Sequence, residues 1–311
     1  MDLKRVIFMG TPEFAVPVLK GLIDNYEVIL VVTQPDKEVG RKQELKFSPI
    51  KELALKNNIE VFQPIKIRED YKKIVELKPD LIITCAYGQI IPKVILDCPA
   101  IACLNVHASL LPKLRGGAPI HKALMEGYSL TGITIMHMDE AMDSGDIITQ
   151  EEYHIQDTDN VGELHNILSQ MGAKLLIKTL PDIINGTAPR IKQDESLVTY
   201  AYNIKRAEEH LDFNQSSQSI YNHVRGLNPW PLANFILNDQ EYKVLDCFFE
   251  KKQVTEVPGT IVELNKTTIG IAAPDGIVYI TKLKPFGKKV MSVQEYLNGL
   301  GTKTILNSEV K

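Results

Sequence analysis

"RVIFMGTPEFAVPVLKGLIDNYEVILVV", residues 5–32, decides the fold. Residues 5–10 (RVIFMG) and 27–32 (EVILVV) are apolar runs without alternation, and the segment between them, 14–24, is helical in pattern. Unbroken apolar strands separated by a helix describe a parallel sheet covered on both faces. The pattern continues with strands expected at EVFQP (60–64), DLIITC (80–85) and IACLNV (101–106), and helices at 49–57, 69–77 and 92–97. The fold class is therefore α/β, with a Rossmann-like, mostly parallel sheet.

Further along, TGITIMHM (131–138) and DIITQEEYHI (146–155) read as additional strands, and 161–183 as a long amphipathic helix. The Asn-Gly, Ala-Pro and polar residues that follow are typical of a linker. After a short helix near 216–225, the stretches NFILNDQEYKVLDCFFE, GTIVELNKTTIGIAA and GIVYITKLKPF alternate as antiparallel strands joined by turns. They predict a small, OB-like β-barrel. The expected division is a catalytic domain over 1–188, a linker over 189–206 and a C-terminal domain over 207–311.

The 311 residues are 44% hydrophobic and 24% charged, an ordinary globular balance, and the net charge of −4 gives no general attraction to polyanions. Any nucleic-acid contact must come from a local basic patch. The four cysteines form no CxxC pair, which suits buried free thiols in a reducing compartment. No apolar stretch approaches the ~20 residues of a membrane span. The start, MDLKRVIFMG, enters a strand directly, so no signal or transit peptide is expected and the expected location is the cytoplasm.

The stretch LNVHASLLPKLRGGAPI (104–120) draws attention for its chemistry. Asn105 and His107 stand at the carboxyl end of a strand, where open α/β sheets collect ligands, and their i, i+2 spacing turns both to one face. Two such donors can hold a carbonyl oxygen as it gains negative charge. An ordinary strand end, with Asn capping the turn and His filling a gap, remains open on these residues alone. About a dozen irregular residues then precede a helix expected at 119–126, against the usual ~2–6 for such a connection. The loop could wall a pocket for a flat ligand or simply pack its leucines downward. The turn MDEAMDSGDII (138–148) offers several carboxylates, but neither these nor the histidines have the spacing of a calcium or zinc motif, so no metal is expected. GTPEFAVP (10–17) is not a dinucleotide fingerprint.

Taken in order, MGTPEFAVPVL, TQPD..GR, AYGQIIP, Asn-x-His with SLLP, TGITIM, the Asp-Ser-Gly-Asp turn, GELHNILSQMGAKLL and GLNPWP resemble the folate-dependent formyltransferases over the whole chain. The resemblance implies that Asn105, His107 and Asp143 are the catalytic residues. Ser109, Leu110, Leu111 and Pro112 would then contact folate, and AYGQIIP would add Tyr87 and Gln89 to the same cleft. It implies a formyl donor, 10-formyltetrahydrofolate, used as co-substrate without a metal. The acceptor implied is the α-amine of methionine esterified to initiator tRNA. Asn105 and a protonated His107 would donate to the oxyanion, and Asp143 would support the imidazolium and relay the proton of the amine. The loop 34–47 would close on the tRNA through Arg41 and Lys42. Lys37 and Glu38 replace the family's more usual Arg-Pro there, which makes the loop less basic. Ser48 and Pro49 would open the next helix as N-cap and first position. The protein is expected to act as a monomer.

Overall fold

The computed structural model describes residues 3–39, 44–300 and 304–311. The chain forms two compact units, one of Met1–Pro119, Leu130–His154 and His165–Tyr202, the other of Ile120–Ser129, Ile155–Leu164 and Asn203–Lys311.

The strands of the first unit are β1 (Arg5–Gly10), β2 (Glu27–Val32), β3 (Lys37–Val39), β4 (Glu44–Lys46), β5 (Val61–Phe62), β6 (Leu81–Cys85), β7 (Ala102–His107), β8 (Leu130–His137) and β9 (Ile147–His154). Seven of them form one sheet in the order β5-β2-β1-β6-β7-β8-β9. The pairs from β5 to β7 are parallel, and β8 and β9 extend the sheet antiparallel. β6 is buried along its whole length, and β1 is buried except at Arg5, which is what an unbroken apolar run requires. One face of the sheet packs Ile7, Met9, Leu30, Ile82 and Cys103 with Ile74, Ile91 and Ile95 from the crossovers. The chain leaves β1 for β2 on one side and β6 on the other, so the order reverses beside β1, and the carboxyl ends of β1, β6 and β7 border the resulting crevice.

The crossover helices are α1 (Val16–Asn25), α2 (Pro49–Lys56), α3 (Lys72–Glu76) and α4 (Lys93–Leu96), followed by α5 (Pro119–Met125) and α6 (Val161–Ile184). Ser48 caps α2 by accepting from the Lys51 N–H at 3.1 Å, with Pro49 at the first position, as expected. Several elements are shorter than their sequence patterns, β5 and α3 most clearly. β5 stops before Pro64, which has no N–H for a ladder, and α3 ends ahead of Pro79, with Lys78 at φ 45°. The hairpin β3–β4 was not legible, because KEV and ELK carry no apolar alternation.

The second unit contains α7 (Ser217–Gly226), β10 (Ala233–Leu237), β11 (Gln240–Lys251), β12 (Ile261–Leu264), β13 (Ile269–Ala273), β14 (Gly276–Pro285), β15 (Met291–Ser292) and α8 (Val293–Leu300). The sheet runs β10-β11-β14-β13-β12, all antiparallel, with β15 on β14. β11 bends through irregular register around Asp246. The last residues close the sheet: Ile236 of β10 exchanges bonds with Lys311 at 2.6 and 2.9 Å, and Ile261 of β12 donates to Ser308 at 2.9 Å. With both edges occupied, the sheet becomes the small barrel that the alternating strands predict.

Candidate active site

Thr84 and Asn105 are register partners on β6 and β7, and Thr84 Oγ1 donates to Asn105 Oδ1 at 2.8 Å. Asn105 Nδ2 then lies 3.4 Å from Asp143 Oδ1, a carboxylate oxygen that can only accept. His107, two residues further along β7, is buried. Its Nε2 donates to the Leu114 carbonyl at 3.0 Å, and its Nδ1 lies 3.6 Å from Asp143 Oδ2. The same carboxylate oxygen accepts the Gly116 N–H at 2.9 Å. The structure therefore brings Asn105, His107 and Asp143 together.

Asp143 sits in a tight turn at φ 49°, a region that Asp tolerates better than most residues. Both imidazole nitrogens of His107 face acceptors, and a neutral ring carries only one N–H. Nε2 is committed to the Leu114 carbonyl, whereas Nδ1, 3.6 Å from the carboxylate, makes no hydrogen bond to it. Asn105 Nδ2, with two hydrogens and one weak partner, is the donor with spare capacity.

The irregular segment 108–118 is held by its neighbours rather than slack. Thr134 Oγ1 donates to the Ser109 carbonyl at 2.7 Å and accepts the Leu111 N–H at 3.1 Å. Gln150 Nε2 reaches both the Leu111 carbonyl, 2.9 Å, and Thr134 Oγ1, 2.8 Å. Ser109 Oγ donates to the Lys113 carbonyl at 2.7 Å. Ser109 and Leu111 are buried, while Leu110 and Pro112 are half-buried along the same backbone. Further on, buried Arg115 donates to Gln193 Oε1 and to both carboxylate oxygens of Glu195. Gln193 Nε2 donates to the Asp143 and Gly145 carbonyls, each at 2.8 Å. Residues 199–201 lie beside 114–118 through four more bonds, from Leu114 N to Thr199 Oγ1 (2.9 Å), Arg115 N to Thr199 O (2.9 Å), Ala201 N to Arg115 O (2.7 Å) and Ala118 N to Ala201 O (2.9 Å). Gly116 makes this approach possible. Its φ is 125°, and a Cβ there would stand 2.6 Å from the Ala201 carbonyl oxygen.

The other expected ligand residues, Tyr87 and Gln89, have their side chains held within the fold. Tyr87 is buried in the apolar cluster, its hydroxyl has no hydrogen-bond partner, and burial pushes its pKa up to about 12. Its carbonyl accepts from Thr11 Oγ1 at 3.2 Å and Gln34 Nε2 at 3.0 Å. Gln89 is engaged internally, accepting the Ile67 N–H at 3.0 Å and reaching Gln34 Oε1 at 3.3 Å. Burial pushes the Cys85 and Cys103 thiols up, which removes them as nucleophiles. Arg41 and Lys42 lie outside the described residues. Among the described residues no group of three or more His, Cys, Asp or Glu is arranged to hold a metal ion, and no helix is long and apolar enough to cross a membrane.

Sequence reasoning passed over Thr84, Arg115, Thr134, Gln150 and Gln193. The signal for Thr84 was present, as the one polar residue in LIITC beside Asn-x-His. Gln193 gave none, because it lies in a stretch that reads as linker.

Two domain families match this chain, Formyl transferase over residues 4–180 and Formyl transferase, C-terminal domain, over 203–301. Together with the carboxyl-end site they define a formyl transferase. A methionyl-tRNA formyltransferase of Bacillus mycoides is 52% identical over 309 residues, covering 96% of this chain and 98% of the relative. One of Bacillus subtilis is 50% identical, covering 95% and 94%. The chain belongs to the methionyl-tRNA formyltransferase family. Among solved structures, an N-formyltransferase from Helicobacter canadensis, complexed with folinic acid and dTDP-3-aminofucose, superposes with a TM-score of 0.68 at 21% identity. It covers 91% of this chain and 100% of its own, a likeness of fold.

Proposed function

We propose that this enzyme transfers the formyl group of 10-formyltetrahydrofolate to the α-amine of methionine carried on initiator tRNA, in the cytoplasm. The observation that carries the reading is the gathering of Asn105, His107 and Asp143 at the carboxyl end of β7 in a chain of this family. The donor is a tetrahydrofolate derivative, and the segment Ser109–Pro112, pinned to β8 and β9, is suited to form one wall of its cleft.

Attack of the amine on the formyl carbon gathers negative charge on the formyl oxygen, and the Asn105 amide N–H is positioned to donate to it. A free α-amine titrates near ~7.7–8.0, so much of it arrives protonated at neutral pH. Asp143 is the base nearest Asn105, and it takes up the proton directly or through a water. The carboxylate faces the His107 ring on one side and the Gly116 N–H on another, which fixes its orientation as the proton moves. As the new C–N bond forms, the bond from the formyl carbon to the donor nitrogen breaks, and that nitrogen receives a proton.

The RNA contacts expected of Arg41 and Lys42 belong to the same proposal, as does tRNA binding by the C-terminal domain, 207–311. The latter is supported by exposed Lys282, Lys284, Lys288 and Lys289 around exposed Phe286 at the end of β14.

The test is formylation of Met-tRNA, resolved on an acid gel, for wild type, His107→Ala, Asp143→Asn and the double variant. Each single change should reduce kcat by about 10²-fold or more, in the range for a lost electrostatic or general-base group, with the fold retained. The double variant should lose far less than the product, because both residues serve one charge. Wild-type rates in either single variant would remove that residue from the mechanism.

A further inference from the structure

Tyr200 and Tyr202 stack on each other with ring centroids 5.5 Å apart and planes 3° from parallel. They are 49% and 59% exposed, so the pair shields its inner faces and leaves aromatic surface open to solvent. Between them Ala201 is fully buried, as alternation along an extended segment requires. The four bonds that tie 199–201 to 114–118 hold the pair in place. That partner segment is the one whose Leu114 carbonyl takes His107 and whose Gly116 N–H takes Asp143. The aromatic pair is therefore a rigid platform one strand removed from the reacting groups.

We propose that Tyr200 and Tyr202 form a stacking platform for an unpaired base of the acceptor end of the tRNA. The inference rests on the Met-tRNA reading above and specifies how that substrate is held. An aminoacyl group is carried on the terminal nucleotide of a single strand, so an unpaired base must lie close to wherever the amine reacts. Every base offers a π-face, and exposed aromatic side chains are the usual partners of single-stranded RNA. The flat, preformed pair loses little rotamer freedom when a base settles on it.

The experiment compares Tyr200→Ala, Tyr202→Ala and the corresponding Phe variants, with separate kinetics for Met-tRNA and the formyl donor. The Ala variants should lose roughly 5- to 150-fold in kcat/KM for Met-tRNA, the range for one base on one aromatic. Their KM for the formyl donor should be unchanged, and the Phe variants should stay near wild type. A second readout uses Met-tRNA with 2-aminopurine at an unpaired acceptor position. Wild type should quench its fluorescence on binding, and Tyr202→Ala should relieve the quenching even if turnover is disturbed for another reason. Unchanged Met-tRNA kinetics, a Phe variant as impaired as the Ala one, or a shift in the KM of the formyl donor instead would each overturn the platform. If wild type itself fails to formylate Met-tRNA, the parent reading falls and takes the platform with it.

Discussion

Thr84 has one hydroxyl proton and three acceptors within reach: Asn105 Oδ1 at 2.8 Å, the Leu104 carbonyl at 3.1 Å and Met138 Sδ at 3.5 Å. The shortest bond is the one that anchors Asn105. An asparagine amide can turn over at little cost unless something distinguishes its oxygen from its nitrogen; here the acceptor-only Asp143 carboxylate draws the nitrogen, and Thr84 holds the oxygen. Replacing Thr84 by Val keeps the branched shape and removes the hydroxyl. A typical net hydrogen bond contributes about 1 kcal/mol, so a five- to tenfold fall in kcat is expected, with KM for both substrates little changed. Unaltered turnover in Thr84→Val would mean that Asn105 is oriented by something else. Asp143 illustrates the same point from the other side. Its two oxygens accept from Asn105 and Gly116 and face the His107 ring, and an Asn in its place offers one acceptor oxygen and an NH₂ that would meet a donor.

At the scale of elements, the sheet strands were legible because burial on both faces demands apolar runs, and β1, β2 and, but for Thr84, β6 supply them. Asn105, His107 and Asp143 were legible through family resemblance, since Asn-x-His alone reads equally well as an ordinary strand end. The pieces that stayed hidden are those whose role depends on chain distant in sequence. Gln193 is the clearest of them: its polar, exposed neighbours give the pattern of a linker, yet it bridges Arg115 to the Asp143 turn through bonds formed only in the folded unit. Gln193→Ala removes two donors from the carbonyls of Asp143 and Gly145 and one acceptor from a buried guanidinium. Arg115 keeps Glu195, but a lost hydrogen bond on a buried guanidinium is costly, and freeing the turn lets the Asp143 carboxylate wander. The variant should show a thermal midpoint lowered by a few degrees together with at least a tenfold loss of kcat. Loss of stability with kcat intact would make Gln193 a fold residue with no part in holding the site.

For the molecule as a whole, the histidines set how the fold responds to acid. His137 in β8, His165 in α6 and His223 in α7 all have depressed pKa values, in each case chiefly because burial penalises the charged ring. The two first-unit rings have modifying neighbours. Arg190 lowers His137 further while Asp146 opposes it, and Asn166 and Glu13 partly offset the shift at His165. His223 sits in the second unit, where its Nε2 donates to the Glu208 carbonyl at 2.7 Å and Lys122 adds to the depression. A base with a depressed native pKa binds fewer protons folded than unfolded, so stability rises with pH across the interval between the two values. Its contribution is complete above the ordinary histidine value of about 6.5 and is lost as pH falls from there through the lowered native values. Carboxylates held low, such as Asp36 and Glu263, act in a separate window below their own ordinary range. The thermal midpoint should therefore decline between pH 7 and pH 5 before any carboxylate takes part. His223→Gln keeps a donor for the Glu208 carbonyl but cannot titrate, so its midpoint should fall less steeply over the same two units. Parallel wild-type and variant slopes, measured in matched buffers at constant ionic strength, would show that His223 carries none of the acid sensitivity.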